Sequence, residues 1–334
     1  MTGKTDLTGR TPFAEAVRQA LQAQVEIVII RLKQAASTDP AEAAEGVHEA
    51  RVALRRAQSL LGFATPWIDA GWAKKRLKSY GGLFRLLGKV RDRDIASERA
   101  GAFFPADEPD AAPLLAALNS RRDKQHEALR KKLADKKTLQ ILGRELSSVA
   151  SADALLAMVP VPVSNRGQVR LFDLADVLPA MLGQALACLT VYSHVLKAPE
   201  SDAGEDMLHQ LRLAGKDLRD LVLFARPCLD DQTDALIQNL REIQQTLGSW
   251  HDTVVARRQL QKLSSELQKK EAARHWLDFE STRGEDLVKV FYEAWRKMSP
   301  DCLRRQLAIA LTALDKPSGC ACCSGCGGQP EPAS

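Results

Sequence analysis

Two stretches of this chain, far apart, repeat each other. Val47 to Pro66 reads V-H-E-A-R-V-A-L-R-R-A-Q-S-L-L-G-F-A-T-P, and Leu208 to Pro227 reads L-H-Q-L-R-L-A-G-K-D-L-R-D-L-V-L-F-A-R-P. His48 matches His209, Arg51 matches Arg212, Arg55 matches Lys216, Phe63 matches Phe224 and Pro66 matches Pro227, at a constant offset of 161. A second pair of blocks follows in the same order. L-L-G-K-V-R-D-R-D-I-A from Leu86 matches T-L-G-S-W-H-D-T-V-V-A from Thr246, with Gly88 on Gly248 and Asp92 on Asp252 at an offset of 160. Recurrence of ordered blocks at one spacing predicts a duplicated fold. Each half runs to roughly 150 residues, a normal domain size.

The repeated unit reads as helical. Alanine and leucine are abundant, β-branched alternation is nearly absent, and only 5% of the residues are aromatic. Pro12 suits a helix start, and a helix is expected from about Phe13 to Ala36, with Val17, Leu21, Val25, Val28 and Leu32 on one stripe. Further helices are expected at about 41–64, 67–100 and 114–158, the last bending near Asp135. The second half repeats the pattern at about 171–197, 205–225, 230–267 and 271–298, with a short helix at 302–314. The expectation is an all-α chain of two four-helix bundles. A loose tail covers residues 1–11, the first bundle 12–158, a linker 159–170 around V-P-V-P-V-S-N-R-G, the second bundle 171–315, and a Cys/Gly/Pro tail 316–334.

The net charge of +5 is small because 42 acidic residues offset 47 basic ones, so position matters more than the sum. On a helix, His48, Arg51 and Arg55 fall within roughly 60° of one another. Ala53, Ala57, Leu60, Leu61 and Ala64 gather on roughly the opposite side. In the second half His209, Arg212, Lys216 and Arg219 share a face opposite Leu211, Ala214, Leu218, Val222 and Ala225. Arg85, Lys89 and Arg93 are spaced i, i+4, i+8, as are Arg122, His126 and Arg130, and Lys74, Lys75, Arg76 and Lys78 make a dense run. A row of cations on a helix is usually a solvated face. Two halves that keep the same His-x-x-Arg-x-x-x-Arg/Lys order argue for more. Guanidinium forks suit phosphate oxygens, and histidine gains charge beside a polyanion.

At these residues the chain resembles the CHAD domain, a histidine-containing α-helical family. Its pattern V-H-x-x-R-V-x-x-R-R, then L-G-x-x-R-D-x-D-V, appears as V-H-E-A-R-V-A-L-R-R and L-G-K-V-R-D-R-D-I, and again as L-H-Q-L-R-L-A-G-K-D-L-R and L-G-S-W-H-D-T-V-V. R-R-D-K-Q-H-E-A-L is similar to the family's basic helix. The resemblance covers about Phe13 to Leu314. It implies two bundles related by pseudo-two-fold symmetry, whose basic helices line a central cleft that binds inorganic polyphosphate. The implied contacts are His48, Arg51, Arg55, Arg122 and His126, then His209, Arg212, Lys216 and Arg219, with Arg85, Lys89, Arg130 and Lys289 as weaker candidates. Gln245, Ser249 and Thr253 stand where Arg85, Lys89 and Arg93 stand in the first half, so this helix pair departs from symmetry. The E-x-E-x-K signature of relatives that carry a triphosphate-tunnel domain does not occur, which implies a stand-alone member.

The expected function is therefore non-catalytic binding of polyphosphate, with no cofactor and no metal. The partners expected are polyphosphate itself and polyphosphate or polyhydroxyalkanoate storage granules. An enzyme of phosphate metabolism is the alternative, but there is no G-x-x-x-x-G-K-[ST], and the histidines are expected among cations rather than beside an orienting carboxylate. Nucleic acid is a poorer fit because aromatics do not interleave with the cations. Asp92 and Asp252 are expected to be structural, orienting a nearby cation. Cys320, Cys322, Cys323 and Cys326 match no common metal-site spacing and read as a flexible tail. No apolar run is expected to approach membrane-spanning length, the longest being Val25 to Ile30, and the N-terminus has no signal-like apolar core. A cytoplasmic setting is the expectation.

Overall fold

In the computed structural model the described residues are 7–105, 108–135, 172–193, 204–231, 233–263 and 271–315, together with positions 140, 144 and 149. Among them are nine α-helices and no strand: α1 Phe13–Ala35, α2 Pro40–Ala64, α3 Ala70–Phe103, α4 Ala112–Ala134, α5 Leu174–Thr190, α6 Glu205–Ala225, α7 Thr233–Leu263, α8 Glu271–Lys297 and α9 Pro300–Leu311. The all-α expectation is met.

The helix starts follow local chemistry. Asp39 caps α2 by accepting from the Glu42 N–H at 2.8 Å, with Pro40 at the first helical position. Asp69 caps α3 through the Trp72 N–H at 2.5 Å. Asp173 and Asp176 form a capping box at the start of α5. Ser299 caps α9 through the Cys302 N–H at 3.1 Å. The two motif helices also end alike: α2 and α6 each run into a 3₁₀ turn carrying the proline, Thr65–Trp67 and Arg226–Cys228.

Consecutive helices pack together within each half, α1 on α2, α2 on α3, α3 on α4, then α5 on α6, α6 on α7 and α7 on α8. The halves meet through α2 on α6 and α3 on α7, and α9 packs against α5 and α7. Gly46 sets how near α1 and α2 come: a Cβ there would lie 2.8 Å from the Arg31 carbonyl oxygen, and no flexible side chain stands in the way to yield.

The buried clusters cross the halves. One joins α1, α2, α5 and α6 and takes in Phe13, Leu21, Leu61, Leu178, Met181 and Leu218. A second, smaller one joins Ala96, Ala100, Phe104, Leu114 and Leu118 to Leu260, Leu263, Ala273 and Trp276. Each half therefore completes the other's core.

Three expectations need correction. Residues 7–11 are not a loose tail. Leu7 packs against the core, the Ala175 N–H donates to the Gly9 carbonyl at 2.9 Å, the Leu174 N–H to Thr11 at 3.0 Å, and the Phe13 N–H to Phe172 at 2.8 Å. The fourth helix ends at Ala134 instead of bending at Asp135; most of the stretch beyond, the 159–170 linker and the 316–334 cysteine tail lie outside the described residues. The longest apolar segment is also not Val25 to Ile30. Leu174–Ser193 is long and apolar enough to cross a membrane by length and composition alone. Here it is a core helix, with Val177, Leu178, Met181, Leu182, Ala185 and Leu189 all buried.

Candidate anion-binding site

The motif helices α2 and α6 lie against each other, so their cationic faces share one seam. Arg55 of α2 reaches across it, its Nε donating to Asp220 Oδ2 of α6 at 3.0 Å. The Asp220 side chain is 2% exposed. It also accepts from Arg219 Nη2 at 3.3 Å and has Arg56 Nε at 3.9 Å. One buried carboxylate thus stands among three guanidiniums. Arg51, Arg55 and Arg212 act on one another electrostatically across the seam, and Lys216 feels Arg212, Arg55 and Arg219.

Burial and this mutual repulsion weaken the hold on protons. Burial is the larger cause for each. It lowers Arg51 and Arg219, brings Arg212 down to about 10, and brings the Lys216 ammonium down to about 6. Asp217, partly buried, is pushed up to about 6, first by loss of solvent. The three histidines of the motif blocks, His48, His209 and His251, are lowered, first by burial and then by neighbouring arginines, save that at His251 a bond to Asp252 pulls the other way. The Nε–H groups of Arg212 and Arg219 are buried with no hydrogen-bond partner among the described residues.

The helix behind the motif supports it. Arg51 donates from Nη1 to the Phe84 carbonyl of α3 at 2.9 Å, and its guanidinium carbon lies 4.1 Å from the Phe84 ring centre. The guanidinium crosses α3 at Gly88, where a Cβ would come within 2.6 Å of Nη1. This gives the first-half L-G-x-x-R-D block a physical reason. Asp92, one turn on, is the carboxylate that acts on Arg51, and Asp252 acts on Arg212 in the same way. Each aspartate thus acts on a motif arginine, and Asp252 Oδ1 also lies 3.9 Å from His251 Nδ1.

With this geometry in place, comparison with known proteins is informative. Residues 16–261 match the CHAD domain. The chain belongs to the CHAD domain family. The CHAD domain of the plant Ricinus communis superposes with a TM-score of 0.66 at 19% identity, over 90% of this chain and 93% of that one. PptA from Streptomyces chartreusis gives 0.58 at 16% identity, over 86% of this chain and all of that one. These identities speak to the fold. No curated protein matches the chain.

Within this CHAD fold the expected site residues separate. Arg51, Arg55, Arg212, Lys216 and Arg219 come together at the seam. His48 is half exposed beside Arg91, while His209 stacks on His251 with ring centres 5.3 Å apart. Arg85 and Lys89 are exposed on α3. Arg122 is engaged with Asp123 at 3.0 Å and Ser97 at 3.4 Å, and Arg130 with Glu127 at 2.6 Å. Lys289 is largely exposed and paired with Asp286 at 2.9 Å.

His126 departs from the expectation that the histidines stand among cations. It is buried, and its Nε2 lies 2.7 Å from Asp94 Oδ1, a carboxylate 1% exposed. The pair ties α4 to α3 inside the first half. Val254 stands at the matching place to Asp94 in the second half and is buried too.

Sequence reasoning missed Asp220, Arg56 and Asp217. The signal was present in K-D-L-R-D: two acids at i and i+3 inside a basic helix. Read alone, acids at such spacing pass for charge balance on a solvated face.

Proposed function

We propose that this CHAD protein binds inorganic polyphosphate at the seam between α2 and α6, without catalysis. The observation that carries the reading is the pair of buried Nε–H groups of Arg212 and Arg219, unpartnered where Arg51, Arg55, Arg212 and Arg219 gather. Buried polar groups ordinarily find partners. A phosphate oxygen supplies one and relieves the repulsion at the same time. The CHAD family's association with polyphosphate supports the same substrate. Polyphosphate is a continuous line of negative charge, and its displacement of counterions drives binding as it does for nucleic acid. A long chain also engages cations of both halves at once, which orthophosphate cannot. The reading includes a cytoplasmic setting and recruitment to polyphosphate or polyhydroxyalkanoate storage granules.

The test is a titration with long-chain polyphosphate, charge-matched DNA, ATP and orthophosphate at two salt concentrations. Polyphosphate should bind tightest, with affinity falling steeply as salt rises. The combined change Arg51→Ala, Arg55→Ala, Arg212→Ala and Lys216→Ala should weaken it by roughly 100-fold or more while helicity stays intact. Equal affinity for charge-matched DNA sinks the polyphosphate reading. Turnover of polyphosphate by the purified protein sinks the non-catalytic part.

A further inference from the structure

The cation stripe of α6 does not begin with a cation. Glu205, His209, Arg212 and Lys216 are spaced i, i+4, i+7 and i+11, which sets all four on one face of the helix. Glu205 stands at the head of that stripe, in the first turn. There it holds two arginines of α7, a helix packed against α6. Arg257 Nη2 donates to Glu205 Oε1, and Arg258 Nη2 donates to Oε2 at 3.1 Å. Each carboxylate oxygen thus has its own guanidinium. The Nε–H of Arg257 is buried and has no hydrogen-bond partner among the described residues. The clasp still faces solvent, with the Glu205 side chain 44% exposed and that of Arg258 59%. It also adjoins the seam. His209, one turn on from Glu205, stacks on His251 of α7, and Arg258 acts on His209 electrostatically. The first half has no counterpart: Ala44 stands in the place of Glu205, and Ser97 and Glu98 in those of Arg257 and Arg258.

We propose that Arg257 and Arg258 form a further phosphate subsite at one end of the seam, and that Glu205 occupies it in the empty protein, a carboxylate standing where phosphoryl oxygens bind. The inference rests on the polyphosphate reading and deepens it. A guanidinium takes carboxylate and phosphate oxygens in the same forked geometry, so one replaces the other without rebuilding the site. Exposed ion pairs are weak, and this one opens at small cost. Yet Glu205 is tethered beside its arginines, so an anion arriving from bulk solvent competes poorly with it. A polyphosphate chain already held by Arg51, Arg55 and Arg212 brings its next phosphates to the site at comparable local concentration. Phosphate oxygens then take the place of the carboxylate, the Arg257 Nε–H gains an acceptor, and Glu205 turns out into water. This end of the seam therefore opens to a chain anchored elsewhere on it.

The experiment is titration of the full chain with long-chain polyphosphate, with circular dichroism to confirm that each variant is folded. Glu205→Gln should raise affinity by roughly fivefold, since no exposed pair has then to be broken. Glu205→Asp keeps the charge but is one methylene shorter and cannot bridge both arginines, so it should give part of that gain. Asp206→Asn removes the neighbouring acid, which forms no hydrogen bond to either arginine, and should change affinity by less than about twofold. Arg257→Gln with Arg258→Gln should lower affinity by roughly fivefold through loss of two phosphate contacts. Adding Glu205→Gln to that pair should bring no more than the small effect of Asp206→Asn, because no arginine is left to release. A gain from Glu205→Gln that persists without the arginines overturns the inference, as does an equal gain from Asp206→Asn. Either result makes Glu205 a general repulsive charge. A folded Glu205→Gln that binds more weakly also overturns it, since the carboxylate would then position the arginines instead of blocking them. Absence of polyphosphate binding by the wild type overturns the functional reading instead.

Discussion

Two ion pairs that join the halves are built from the same parts. Each sets an arginine of the first half against a carboxylate of the second whose side chain is 2% exposed. Arg99 grips Glu280 with both edges of its fork, at 3.0 Å and 2.5 Å, and Trp276 Nε1 donates to the same carboxylate at 3.1 Å. Trp276 belongs to the smaller apolar cluster that spans the halves. That pair is balanced. Arg55 meets Asp220 through Nε alone, and the carboxylate is shared with Arg219 and Arg56 while Arg212 and Lys216 crowd in. That pair carries surplus positive charge. The same chemistry makes a clamp where charge closes and a binding surface where it does not.

Removing the two arginines in turn separates these roles. Arg99→Ala leaves Glu280 buried with only the indole, and breaking a buried pair from one side costs about 3–5 kcal/mol. Arg55→Ala leaves Asp220 with Arg219 and Arg56, so its cost should be about 1 kcal/mol or less. Polyphosphate affinity should fall for Arg55→Ala and stay unchanged for Arg99→Ala in whatever fraction remains folded. Denaturant unfolding and titration of both variants check this. Similar stability losses for the two would erase the distinction.

The clamp was the harder of the two to read in the sequence. The helical class, the motif helix 205–225 and the cationic faces of Arg51 and Arg55 and of Arg212, Lys216 and Arg219 follow from periodicity and from the repeat, whereas the meeting of those faces was implied by the family resemblance. Glu280 and Arg99 lie 181 positions apart in blocks that do not repeat, so nothing local joins them. His126 misled for a related reason. Its i, i+4, i+8 row with Arg122 and Arg130 suggested a basic face, yet its partner Asp94 lies on another helix. Helix faces are local information, whereas which face turns inward depends on the packed neighbour. The same holds for Thr253, which stands where Arg93 stands in the first half. It is fully buried, donating to the Trp250 carbonyl at 2.7 Å, and a Cβ on Gly284 of α8 would lie 3.0 Å from its Oγ1.

The surplus charge of the open pair should also be visible in the pH dependence of folding. Lys216 titrates near 6 in the folded protein, and an unfolded lysine near 10.4. Between these values the unfolded chain holds a proton that the fold lacks, so stability rises with pH, at most about 1.4 kcal/mol per unit. Asp217 runs the other way. Its folded value near 6 lies above the unfolded value of about 3.9, so the fold holds the extra proton and stability falls between about pH 4 and 6. The two neighbours together place a stability minimum near pH 6. Lys216→Met should flatten the rising limb and Asp217→Asn the falling one, read as Tm against pH at low salt. Arg55 and Arg56, their counterparts in the first half, cannot substitute for them. A rising limb that survives Lys216→Met places the titrating group elsewhere.

The smallest effect expected comes from the two matched glycines, and it tests how far the halves differ at one atom. Both Gly88 and Gly248 sit inside helices, where alanine is favoured by about 0.5–1 kcal/mol. Around Gly248 nothing approaches within 4 Å of where a Cβ would be, so Gly248→Ala should realise that gain and leave polyphosphate affinity unchanged. At Gly88 the added methyl meets the Arg51 Nη1 at 2.6 Å. The obstacle is the free end of a flexible side chain, so the fold survives and the arginine moves. Arg51 then loses its bond to the Phe84 carbonyl and its seat on the Phe84 ring, which offsets the helical gain. Stability should change little, while polyphosphate affinity drops by roughly threefold through loss of one placed fork among several contacts. Equal responses from the two alanines would mean that Arg51 needs no fixed position, and that its charge alone is what the seam contributes.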